Sequence, residues 1–267
     1  MAWEYTDALH MACMVYLAAG DLVAARCYAQ RRCELSFFRE TDHLAVIWLL
    51  TVAAMAGEFD EAVDLARQFR RGWIEAGRPA MAGFAVAPAA AAMVYGVRGD
   101  DEARRVWLGI LTEMRRAAAA PGGETPAYAQ VLDALVALHR GELGDALARL
   151  EGGPESFRHW IGHDNAWRGW YAASWAEAAV LAGLADRRQR LERARFIVGH
   201  NPIAAAIVDR ADALDSGDRD KLLAAGAALD GAGCRYQHAR TLVFAGGDAG
   251  TEGEAIMAAI GATPMVI

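Results

Sequence analysis

The sequence predicts an all-helical chain in which helix pairs stack side by side into a superhelical solenoid. Three observations carry that prediction. A Gly-acidic signature, fullest at Gly57-Glu58-Phe59-Asp60-Glu61-Ala62, recurs from Gly20 through Gly57, Gly99, Gly141 and Gly183 to Gly217, with spacings of 37, 42, 42, 42 and 34 residues. Apolar runs flank each occurrence, and a turn between two such runs at that period is how a helix-turn-helix repeat is written. Hydrophobic residues make up 55% of the 267 and are mainly Ala and Leu, the better helix formers, rather than the β-branched residues that favour strands. Residues 1–267 read as one domain of about six to seven helix pairs.

The first pair is expected at about 3–38, where Gly20 ends one helix and Asp21 caps the next. In the second, about 42–76, Leu44 to Leu50 is apolar on all sides, as a helix buried between neighbours would be. The third spans about 79–120, and its outer helix carries Arg104, Arg105, Arg115 and Arg116, read as a solvated face. Pro121-Gly122-Gly123-Glu124-Thr125-Pro126 then makes a loop between repeats, too short for a domain linker. The fourth pair covers about 127–150 and ends at Gly152-Gly153-Pro154. The fifth, about 164–198, begins at Asp164 and closes with a very basic helix from Asp186 to Val198. Asn201 as cap and Pro202 at the first helical position open the sixth, about 202–229. A last hairpin at about 235–260 has its second helix starting at a capping box, Thr251-x-x-Glu254.

Composition narrows the function classes. A net charge of −7 disfavours a general nucleic-acid binder, which needs a surplus of Lys and Arg. Lys221 is the only lysine, so no P-loop is possible. The cysteines, Cys13, Cys27, Cys33 and Cys234, form no Cys-x-x-Cys pair and read as reduced thiols of a cytoplasmic protein. Asp7 and His10 interrupt any signal peptide, and the uncharged run Ala80 to Val97 reads as a buried helix rather than a membrane span.

Gly57 to Ala62, with Gly20-Asp21…Ala25 and Gly141-Glu142…Ala146, resembles the inter-helix signature of tetratricopeptide repeats. The longer period of 42 is more similar to the divergent repeats of LuxR-family, maltotriose-regulator-type ATPase activators. The stretch from Gly231 to Gly247, followed by Gly261-Ala262-Thr263-Pro264, resembles the end of the repeat region in actinobacterial members, some fused to cyclase-like domains. The resemblance implies a right-handed superhelix that senses an effector and controls a transcriptional regulator. It also implies ATPase and DNA-binding modules as partners, neither visible here, so the chain reads as the isolated repeat region.

Catalytic constellations are weak. His159 and His163 have an i, i+4 spacing that zinc would use, but Gly162 lies between them and no third ligand is evident. None of Ser36, Ser156, Ser174 and Ser216 stands in a Gly-x-Ser-x-Gly elbow. Asp100-Asp101 and Glu58 with Glu61 read as helix caps, and the glycines from Gly246 to Gly253 as a turn. No enzyme activity, metal or cofactor is expected.

The informative cluster is Trp160, Trp167, Trp170, Tyr171 and Trp175. On a helix, residues 167, 170, 171, 174, 175 and 178 share one face, opposite the small face of Ala172, Ala173, Ala176, Ala179 and Val180. The aromatic face turns either to the core or to the concave groove. In the groove reading Trp48, Phe84 and Tyr128 join Trp167, Trp170, Tyr171 and Trp175, with His163 and Asn165 at the mouth. The expected occupant is a small molecule or peptide effector. The alternative is a protein-interaction scaffold that binds a helix or extended segment, and neither reading involves direct nucleic-acid or membrane contact.

Overall fold

The computed structural model describes residues 2–35, 42–116, 125–156 and 162–267, and the side chains of residues 2, 3, 42 and 162–164 lie outside that description. Among the described residues it is all-helical, with fifteen α-helices. They are α1 (Ala2–Ala18), α2 (Leu22–Cys33), α3 (Asp42–Ala45), α4 (Ile47–Ala56), α5 (Phe59–Glu75), α6 (Val86–Val97), α7 (Asp101–Arg115) and α8 (Ala127–His139). The second half adds α9 (Leu143–Arg149), α10 (Arg168–Leu181), α11 (Arg187–Val198), α12 (Pro202–Ser216), α13 (Arg219–Gly231), α14 (Arg235–Ala245) and α15 (Gly247–Ala259). Short 3₁₀ turns at Ala82–Phe84 and Gly162–Trp167 lead into α6 and α10.

Each expected turn separates two helices, and all six repeat glycines have a positive φ. Side-chain caps follow where the sequence places them: Asp21 on the Ala24 amide, Asp100 on Ala103 and Asn201 on Ala204. The run from Ala80 to Val97 becomes a 3₁₀ turn and a 12-residue helix, with Pro88 in its first turn, where a missing N–H costs nothing. Among the described residues no helix is long and apolar enough to cross a membrane.

Three local expectations are corrected. The helix expected over 42–56 bends at Val46 into α3 and α4. The final helix starts at Gly247, not at Thr251, whose hydroxyl bonds back to the Gly247 carbonyl at 3.4 Å inside the helix. Glu58 sits at the α5 N-cap position without a side-chain cap bond, and its carboxylate pairs instead with Arg26.

The first helices of the pairs pack in succession, α4 on α6, α6 on α8, α8 on α10 and α10 on α12, and together they bury one continuous core. The second half of the chain also returns to the first. Trp170 and Asn201 donate to the Leu17 and Ala18 carbonyls at the end of α1, both at 3.0 Å. The Cys234 thiol donates to the Met55 carbonyl of α4 at 3.1 Å. The amides of Thr263 and Val266, in the tail after α15, donate to Val97 of α6 at 3.0 Å and His139 of α8 at 3.1 Å. Last-turn carbonyls have no partner within their own helix, so the closing segments satisfy what four helix ends leave open.

Candidate functional site

Helix α10 is buried nearly all round. Ala172, Ala173, Ala176 and Ala179 pack closely on one side, and Trp167, Trp170 and Tyr171 face the core on the other. Trp48, Tyr128, Trp167, Trp170 and Tyr171 are only 0–3% exposed. The rings form two groups. Trp48 donates its indole N–H to His10 Nδ1 at 3.0 Å, and Phe84 meets the same imidazole edge-on at 5.7 Å. Tyr128, Trp167 and Trp170 form a second chain with centroids 6.4 Å apart at each step. Burial pushes the Tyr171 hydroxyl up to about 12. Asn165 is exposed in the 3₁₀ turn; the side chain of His163 and all of His159 and Trp160 lie outside the described residues.

Among the aromatic residues of α10, Trp175 is the partly exposed one. It lines an open cavity of ≈ 600 Å³ with Glu155, Asp186, Gln189, Arg190, Glu192, Arg193 and Phe196. The Arg190 guanidinium stacks on the Trp175 ring at 4.7 Å, and Arg193 stands 5.7 Å from the Phe196 ring. Phe196 is 78% exposed. Arg190 pairs with Asp186 at 2.9 Å and Arg193 with Glu155, both at the surface. The helix that reads as very basic is thus largely neutralised: Arg187 and Arg188 share Asp215, and Arg195 pairs with Asp212 at 2.8 Å. Likewise the Arg104 of the expected solvated face is half-buried and shares Asp133 with Arg149.

A charged network in the core goes beyond the sequence reading. Glu177, on α10, Arg210 on α12 and Arg240 on α14 have fully buried side chains. Glu177 meets Arg210 at 2.6 Å and Arg240 at 3.3 Å. Arg210 also donates to the Gln237 carbonyl at 3.1 Å, the Gln237 side chain at 2.9 Å and the Thr241 hydroxyl at 3.0 Å. Burial alone would raise the Glu177 carboxyl, but the two guanidinium groups hold it below the ordinary value. Burial lowers Arg210 to about 10, against the pull of Glu177, so it stays charged at neutral pH. The signal was present in the sequence: Glu177 is the one charge within the alanine-rich stretch from Tyr171 to Leu184, and carboxylates are seldom buried unpaired. No known protein family, curated protein sequence or solved structure matches the chain.

Proposed function

We propose that the chain is a non-enzymatic helical-repeat interaction domain that docks a short segment of a partner protein in the Trp175–Phe196 cleft. The carrying observation is the exposed Phe196 ring beside the Arg190-stacked Trp175 on one open cavity of ≈ 600 Å³. Aromatic rings and arginines are the residues most enriched at interfaces and their energetic centres. Surface ion pairs such as Arg190–Asp186 contribute about 0–1 kcal/mol, so a carboxylate on the incoming segment can replace them at small cost. The expected segment therefore carries an aromatic or aliphatic side chain beside an acidic one. Burial of Trp48, Tyr128, Trp167, Trp170 and Tyr171 favours this reading over a small molecule held among those rings.

The finer architecture in this proposal is a tetratricopeptide-like right-handed superhelix, supported by the repeated Gly-acidic turns and the succession of first helices. With the sequence resemblance, it makes the partner a module of a larger transcriptional regulator. The test is a peptide array of acidic-aromatic segments probed with the wild-type chain and Phe196→Asp, alongside a metabolite library read by thermal shift. Peptide binding lost in a folded Phe196→Asp supports docking. A metabolite that stabilises the chain while no peptide binds returns the assignment to a small-molecule sensor.

A further inference from the structure

The buried network carries more positive charge than its own residues neutralise. Arg210 and Arg240 face one carboxylate, Glu177, and guanidinium groups do not deprotonate in proteins. The other titratable neighbours supply no negative charge: burial pushes both the Cys234 thiol and the Tyr236 phenol up to about 12. His139 is held neutral, as burial and then Arg240 lower its imidazole to about 4.

The orphaned donors have a geometry. Arg240 uses Nη1 for Glu177 and Gln237, while its Nε and Nη2, the two donors along one edge of the fork, have no hydrogen-bond partner among the described residues. That edge is the one that grips an oxyanion or halide with two parallel N–H groups. The Tyr236 hydroxyl and Arg210 Nε, both buried, also lack a hydrogen-bond partner among the described residues. The Tyr236 and Phe244 rings flank the Arg240 guanidinium at 5.9 and 5.8 Å, an apolar surround that leaves a bare cation expensive.

We propose that the free edge of Arg240 binds a small monovalent anion, chloride or a planar oxyanion of nitrate size, as a structural component of the core. The site is separate from the Trp175–Phe196 cleft, so it stands or falls independently of the docking function. The anion completes a neutral set of two cations and two anions and locks α14 to α10 and α12.

The test is thermal unfolding of the full chain in gluconate buffer at fixed ionic strength, into which chloride or nitrate is exchanged. The expected result is a saturable rise in midpoint, about 5–10 °C at a hundredfold excess over the dissociation constant, absent in Arg240→Met. A wild-type midpoint indifferent to either anion overturns the proposal, as does a rise that persists in Arg240→Met. Should that variant not fold, wild-type crystals grown in bromide give the same decision. An anomalous peak beside Arg240 Nε and Nη2 supports the site, and water without anomalous signal there overturns it.

Discussion

The turns at Gly20, Gly57, Gly99 and Gly141 share a sequence signature with those at Gly183 and Gly217, yet the two sets live in different surroundings. A Cβ on Gly57 would sit 2.5 Å from the Tyr236 amide nitrogen, one on Gly99 2.8 Å from the Thr263 methyl and one on Gly141 2.8 Å from Val266; one on Gly20 would strike the Asn201 side chain. At Gly183 and Gly217 a Cβ would meet nothing within 4 Å. In the second set glycine answers only to local backbone shape. In the first it also leaves room for a distant part of the chain, so the same letter does two jobs that only the closing contacts tell apart.

The largest expected effect attacks the closing segment from beneath. Glu177→Ala leaves Arg210 and Arg240 buried without their carboxylate and should cost about 3–5 kcal/mol, measured by urea unfolding. A loss below 1 kcal/mol would mean α14 is not held by this network. Gly57→Ala comes next. A left-handed Ala costs about 1–2 kcal/mol, and the clash with the Tyr236 backbone adds about 1–3 kcal/mol, because Tyr236 cannot shift without moving α14. The same substitution at Gly217, with φ +70 and open space, should cost only about 1 kcal/mol. Equal losses at the two sites would erase the distinction between the sets.

Acid probes the covered edge without mutation. His139 lies under the tail, where the Thr263 hydroxyl donates to the Val97 carbonyl and accepts from His139 Nε2 at 3.1 Å. Its folded value of about 4 lies below the ordinary 6.5, so the unfolded chain takes up the proton first. This contribution is intact above pH 6.5 and is lost as pH falls toward 4, reaching about 3 kcal/mol there. Thermal midpoints recorded from pH 7 to 4.5 should show the decline, and His139→Gln should flatten it. Gly217→Ala, the smallest effect, should leave that pH profile unchanged.

What the sequence made legible is local. The pairs, their turns and the caps at Asp100 and Asn201 each depend on residues within a few positions of one another. The capping box at Thr251 failed for the same kind of reason: Gly246, with φ +65, opens the helix one turn earlier. Of the candidate site, the aromatic helix was found, but which of its faces is wet depends on what packs there. The closing segments were invisible because no period links Asn201 to Ala18 or Thr263 to Val97. Glu177 was visible as a lone carboxylate among alanines, yet its partners, Arg210 and Arg240, come from helices further along the chain and no sequence pattern pairs them.

The hydrogen bonds between α1 and residues 170 and 201, and between the tail and Val97 and His139, have a kinetic meaning. Their partners lie 153 to 183 residues apart in three of these cases. An open array of repeats has nearest-neighbour contacts alone, so it can nucleate anywhere and fray one repeat at a time. Here the tail's departure exposes the ends of α6 and α8, and α12's departure exposes the end of α1. Loops this long must close before the last contacts form, which slows folding. The same ties couple both halves, so melting of either end reaches the middle of the chain as one cooperative event.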